Sequence, residues 1–261
     1  MHLLNSQFNL DRFWEAVRHS KQPVLLSDYD GTLSPLVIER DKALMYAGVE
    51  SRLQKIIAET KTRLVIISGR WSRDLLHLIK LDPFPEVWGC HGAERLFPDG
   101  RHHQVSLSEK AMTRLQEARE WVKSEGLQTR TEDKPISIAF HWRGLNTAHI
   151  EQVATRIKER WGGSSDDPGL ELLEFDGGLE LRAPGITKAV AIQEIMNELE
   201  SSTPLAYLGD DQTDEEAMAA MTDTQLKVLV RRELRKTAAD LHVVPPQELL
   251  DFLDAWYQAA G

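Results

Sequence analysis

The chain has 261 residues, 41% hydrophobic and 28% charged, which is ordinary for a globular protein and long enough to bury a sizeable core. A formal charge of −10 argues against a nucleic-acid partner, which would meet a basic surface, but leaves open a phosphorylated small molecule offset by a bound cation or a local positive pocket. The single cysteine, Cys90, excludes an internal disulfide; with no stretch approaching the ~18–20 apolar residues of a membrane span and no signal-peptide pattern after Met1, a cytoplasmic protein without membrane partners is expected.

Leu10, Phe13, Trp14 and Val17 recur at helical spacing and predict a helix facing a core. Short β-rich runs then alternate with helical patterns: Val24–Ser27, Val49–Thr60, Arg63–Ser68, Ser72–Ile79 and Val87–Cys90. That order predicts βαβ units and a parallel sheet. A turn at Phe97-Pro98-Asp99-Gly100 changes the pattern. Next come a charged helix from Ser108 to Ser124, a strand Ile136–Arg143, a helix Thr147–Trp161, a loop over residues 162–169, and strand-like runs Leu170–Phe175 and Leu179–Arg182. After Pro184-Gly185 the first pattern resumes, with helix Lys188–Leu199, strand Leu205–Leu208, helix Asp214–Met221, strand Leu226–Val230 and a helix from Gln247. The expected architecture is a doubly wound, parallel-sheet α/β core, residues 1–102 and 183–261, interrupted by an α+β insertion over residues 103–182.

The strongest local signal is Leu25-Leu26-Ser27-Asp28-Tyr29-Asp30-Gly31-Thr32-Leu33, an apolar strand that runs into two carboxylates and a glycine. Open α/β sheets bind ligands at strand C-termini. Taken alone, the aspartates could equally be turn formers. A calcium-binding EF-hand loop is excluded, since its sixth position requires glycine and here holds Leu33. A second acidic strand end, Leu208-Gly209-Asp210-Asp211-Gln212-Thr213-Asp214-Glu215, suits both a helix N-terminus and a cation. Two such ends imply a cation, and magnesium prefers a few oxygen ligands and typically bridges a carboxylate to a phosphate. Ser68-Gly69-Arg70 ends a strand with a hydroxyl and a flexible backbone, a combination suited to phosphate oxygens, and Lys188 opens a helix returning to the core. No glycine-lysine phosphate loop of the nucleotide hydrolases is present, which disfavours ATP.

In this order Asp28-Tyr29-Asp30-Gly31-Thr32, Ser68, Lys188 and Gly209–Glu215 resemble the four motifs of the haloacid dehalogenase superfamily of phosphatases, and the insertion resembles the α/β cap of its sugar-phosphatase subclass. Within it, His91-Gly92, His141-Trp142-Arg143 and Leu179-Glu180-Leu181-Arg182 are most similar to trehalose-6-phosphate phosphatases. The resemblance implies a magnesium enzyme in which Asp28 is the nucleophile, Asp30 the acid and base, and Ser68 and Lys188 the phosphate holders. Asp28, the Asp30 backbone and Asp210 are its expected metal ligands. Thr32, Gly69, Arg70 and Asp214 are expected beside the substrate, with Lys134, His141, Arg143 and above all Glu180 contacting the sugar and Glu132 a further candidate. Mannosyl-3-phosphoglycerate, sucrose 6-phosphate, a phosphosugar mutase reaction and a non-catalytic sugar-phosphate sensor are the competing readings. The chain is expected to act as a monomer or small homo-oligomer.

Overall fold

Val24–Ser27 is buried along its whole length, as a strand covered on both sheet faces must be, and its apolar run explains why nothing in it alternates. The computed structural model describes residues 1–142, 144–162, 169–175 and 177–261. In chain order its elements are β1 (His2–Leu3), α1 (Leu10–His19), β2 (Val24–Ser27), α2 (Val49–Glu59), β3 (Arg63–Ile67), α3 (Ser72–Leu75), β4 (Glu86–Gly89), β5 (Glu94–Leu96) and β6 (His102–Gln104). There follow α4 (Glu109–Ser124), β7 (Thr131–Asp133), β8 (Ser137–His141), α5 (Thr147–Trp161), β9 (Glu171–Phe175) and β10 (Gly178–Arg182), then α6 (Lys188–Asn197), β11 (Leu205–Gly209), α7 (Gln212–Ala219), β12 (Leu226–Val230), β13 (Leu241–Val243) and α8 (Gln247–Ala260).

The main sheet runs β1-β13-β12-β11-β2-β3-β4-β5-β6. From β13 to β4 its neighbours are parallel, with β1 and β5 added antiparallel. On one face Leu25, Ile66, Leu208 and Val228 pack with Leu53 and Ile56 of α2 and Phe252 and Trp256 of α8. On the other, Leu26, Val65, Tyr207 and Leu229 pack with Ile192 and Ile195 of α6 and Met218 of α7. Burial on both faces is the doubly wound arrangement expected from the alternating pattern. The chain leaves β2 toward β3 and β4 on one side, and β11 leads through β12 to β13 on the other. Strand order therefore reverses between β2 and β11, the place where such sheets open a ligand crevice.

The chain divides into two units, Met1–His103 with Thr187–Gly261, and Gln104–Ile186. The second unit is an antiparallel sheet β7-β8-β10-β9, whose Ile138, Phe140, Leu179 and Leu181 pack with Leu115 and Val122 of α4 and Ile157 and Trp161 of α5. It runs on to Ile186, beyond the expected 182, and the Ala183 amide still donates to the Ile136 carbonyl at 3.0 Å. Among the described residues no helix is long and apolar enough to cross a membrane.

Some expected elements are corrected. The helix predicted over Ser72–Ile79 is regular only over Ser72–Leu75 and runs on as hydrogen-bonded turns, the Leu78 and Ile79 amides both donating to the Leu75 carbonyl at 3.0 Å. The helix predicted from Asp214 starts at Gln212, since Asp211 caps it and Asp214 closes the capping box. The strand predicted to Arg143 ends at His141. Short or polar strands (β1, β5, β6, β7 and β13) carried too few apolar residues to be read.

Candidate active site

Asp28 follows β2, and its amide extends the pairing to β11 by donating to the Leu208 carbonyl at 2.8 Å. Asp210 follows the neighbouring strand end. Gly31, at φ +90°, is where the chain turns; a Cβ there would stand 2.1 Å from Asp210 Oδ2, so a larger residue is strained and would displace that carboxylate. Asp28, Asp210 and Asp214 are all buried, and a carboxylate oxygen from each lies within 4.8 Å of the others. Lys188, the first residue of α6, is fixed by the Thr187 helix cap and donates from Nζ to Asp28 Oδ1 at 2.6 Å and Asp214 Oδ1 at 2.7 Å.

The three carboxylates differ in what they have left to offer. Asp214 accepts from Lys188, from the Tyr207 hydroxyl, and from the amides of Asp210 and Asp211 at 2.9 Å each. A carboxylate has about four lone-pair sites, so Asp214 is saturated and organises the turn. Asp28 and Asp210 are less heavily bonded: Thr32 Oγ1 lies 3.5 Å from Asp210 Oδ1, and Arg231 Nη1 4.0 Å from Asp210 Oδ2. Hard, buried, anionic oxygens on adjacent strand ends suit a magnesium ion.

Burial pushes the Asp28 carboxyl up to about 7, a rise that Lys188 partly offsets and Asp214 reinforces. Asp210 is raised well above the carboxylate range by burial and by its neighbours Asp28 and Asp214. Burial alone would depress the Lys188 ammonium, but Asp214 and Asp28 outweigh it and hold it above the usual lysine range. Asp214 is lowered, because Lys188 and the Tyr207 hydroxyl overcome its burial. One ammonium among three carboxylates leaves a deficit of positive charge that a divalent cation would fill.

Asp30 is placed differently. Its carboxylate is gripped by Arg70, Nε to Oδ2 at 2.5 Å and Nη2 to Oδ1 at 2.6 Å, and does not join the acidic cluster. Arg70, expected beside the substrate, is thus in direct contact with Asp30. Ser68 is buried at the end of β3, its Oγ accepting from the Arg70 amide at 3.2 Å and its carbonyl from the His91 amide at 2.9 Å. Over Gly69 the His91 ring approaches so closely that a Cβ would stand 2.6 Å from it. The His91-Gly92 stretch thus packs against the Ser68-Gly69-Arg70 loop.

Lys134, His141 and Glu180 lie in the second unit. Glu180 is 4% exposed, ion-paired with Lys134 and accepting from Ser137 Oγ at 2.6 Å. Arg182, on the same strand, reaches Glu171 at 3.0 Å. His141 Nε2 lies 3.3 Å from Glu132 Oε2. Arg143 lies outside the described residues. Tyr207, Arg231 and Arg235 were not anticipated: they lie outside the short motifs that drew attention to the acidic strand ends.

This fold is that of the haloacid dehalogenase-like hydrolases: a structure of one from B. subtilis covers 88% of this chain and 98% of its own at TM-score 0.61 and 15% identity. The C-terminal domain of C. albicans trehalose-6-phosphate phosphatase superposes at TM-score 0.76, with 99% of each chain covered and 17% identity. The trehalose-phosphatase family profile matches residues 26–242, and the chain belongs to that family. A Mycobacterium marinum trehalose-phosphate phosphatase is 30% identical over 247 residues, covering 88% of this chain and 60% of the relative's length.

Proposed function

We propose that this chain is a magnesium-dependent phosphatase that hydrolyses trehalose 6-phosphate to trehalose and phosphate. The observation that carries the reading is the convergence of Asp28, Asp210 and the Asp214–Lys188 pair at the switch point between β2 and β11. Family membership and the Mycobacterium marinum relative support the substrate. Asp28 and Asp210, with the Asp30 backbone carbonyl, would hold the cation. Bound there, magnesium supplies the positive charge that lets an anionic nucleophile approach an anionic phosphate.

In the first step an Asp28 oxygen attacks phosphorus and the bond from phosphorus to the sugar oxygen breaks, leaving an aspartyl phosphate. The sugar oxygen keeps the electron pair and takes a proton from Asp30. In the second, water attacks the same phosphorus, gives its proton to Asp30, and releases phosphate as the Asp28 carboxylate re-forms. Ser68 and Lys188 hold the non-bridging oxygens, with the Gly69 backbone alongside. Arg70 keeps Asp30 in register between the two steps, and Thr32 and Asp214 steady Asp210 and Lys188.

The inserted unit is read as the cap that recognises the sugar through Glu180, Lys134 and His141, with Glu132 and the motif residue Arg143 as further contacts. A neutral disaccharide presents hydroxyls to such groups and leaves them unpaired when the wrong sugar enters. A buried thiol as the single cysteine suits a reducing, cytoplasmic setting. Phosphate release from a panel of trehalose 6-phosphate, sucrose 6-phosphate and mannosyl-3-phosphoglycerate, with magnesium and with chelator, tests the proposal. Magnesium-dependent release strongest from trehalose 6-phosphate is expected. Preference for another sugar would reassign the substrate, and no release from any would favour a sensor.

A further inference from the structure

Asp210 can present its carboxylate to a cation only if its own peptide is held still. Its amide is held by Asp214 Oδ2 at 2.9 Å. Its carbonyl is held from the opposite side by two arginines that follow β12 and belong to none of the four motifs. Arg235 Nη2 donates to the carbonyls of Asp210 at 3.2 Å and Asp211 at 2.9 Å. Arg231 Nη1 donates to the Asp210 carbonyl at 3.3 Å and stands 4.0 Å from Asp210 Oδ2, too far to compete as a hydrogen-bond partner for that oxygen. Arg235 is itself anchored on α7: Nη1 pairs with Glu215 Oε1 at 2.6 Å, and Glu215 Oε2 accepts from the Ala238 amide at 2.7 Å. Both peptide groups of Asp210 are therefore fixed, one by the first turn of α7 and one by the loop after β12.

We propose that Arg235, with Arg231 beside it and Glu215 as its anchor, is a positioning residue for the cation carboxylate Asp210 and sets the affinity for the divalent ion. This rests on the reading that Asp28 and Asp210 hold the cation. Residues that fix a metal ligand without touching the metal commonly govern affinity about 10–100-fold, because a misdirected carboxylate must be reoriented before it can bind. A guanidinium donating to two successive carbonyls fixes the turn in a way that no single-donor side chain reproduces.

The test is a calorimetric magnesium titration of the full chain as wild type, Arg235→Met and Glu215→Gln. Arg235→Met keeps much of the stem volume and removes the donors; its magnesium dissociation constant should rise about tenfold. Glu215→Gln, which removes the charge of the anchor, should move the constant in the same direction by about threefold. At saturating magnesium, turnover of an aryl phosphate by Arg235→Met should return to within about twofold of wild type with KM unchanged, a split that a general loss of structure would not produce. Wild-type magnesium affinity in folded Arg235→Met overturns the inference. Should that variant fail to fold, unchanged affinity in Glu215→Gln overturns it equally. Wild-type protein that binds no magnesium overturns the cation reading itself, which separates the two failures.

Discussion

Lys188 is the residue on which the site's electrostatics turn, since it is the buried ammonium shared by Asp28 and Asp214. Removing one partner of a buried pair leaves charge uncompensated, so Lys188→Ala should lower the stability of metal-free protein by about 3–5 kcal/mol, measured by denaturant unfolding. An unchanged midpoint would mean that the carboxylates do not depend on it. Asp28 gives the pH dependence its sign. Burial lifts its carboxyl from the ordinary 3.8 to about 7, so the folded state holds the proton more tightly than the unfolded one. That stabilisation is complete below the ordinary value and is lost as pH rises through about 7. Asp210 acts in the same direction, while Asp214, lowered, loses its contribution only on the acid side. Thermal midpoints in chelator should therefore fall between about pH 4 and pH 7, and both Asp28→Asn and added magnesium should flatten the fall. A wild-type profile in chelator that is flat there, or unchanged in Asp28→Asn, contradicts this assignment. Asp28, Asp210 and Lys188 were legible in the sequence because each ends or opens an element within a short motif. The hold of Arg70 on Asp30 and of Arg235 on Asp210 was not, because these partners lie 40 and 25 positions apart in the chain.

Elements carry the site to its place through two strand ends and one tight turn. Gly31 tests that turn. Ala at φ +90° is strained, and its Cβ would meet Asp210 Oδ2 at 2.1 Å, so Gly31→Ala should abolish measurable magnesium binding while the far-UV spectrum stays native. Retained binding would show that the Asp210 carboxylate can move aside without cost to the site. Glu180 on β10 tests the proposed cap. Glu180→Gln should reduce kcat/KM for trehalose 6-phosphate about 10–100-fold and leave a small aryl phosphate within about twofold. Equal losses on both, with a lower melting point, would assign the Lys134–Glu180 pair to the second unit's stability alone. β2, α5 and β12 follow the predicted bounds because mostly apolar, β-rich runs or helical periodicity extend across them. The expected helix after Ser72 is shorter than its apolar spacing suggests: Leu75, Leu78 and Ile79 are buried as a helical stripe would be, but beyond Leu75 they are carried by hydrogen-bonded turns.

At the scale of the whole molecule, the acidic balance and the proposed phosphate chemistry are compatible, since Lys188 and a divalent cation bound beside it would neutralise the reacting centre locally, irrespective of the net charge of −10. The parallel core was legible from alternation alone, and the inserted unit from the change of pattern after Phe97-Pro98-Asp99-Gly100. The far edge of that unit was not, because the Ala183 amide still pairs with the Ile136 carbonyl and the unit runs through Pro184-Gly185 to Ile186. The chain spans 60% of the length of the Mycobacterium marinum relative, so its own activity has to be measured on this chain. The most direct measurement is chemical trapping of the phosphoenzyme during turnover of trehalose 6-phosphate with magnesium, followed by peptide mapping. The account predicts an acyl phosphate on Asp28 that requires both magnesium and the sugar phosphate and is absent from Asp28→Asn. Hydrolysis that proceeds at the wild-type rate in Asp28→Asn, or a label that maps to any other residue, would contradict it.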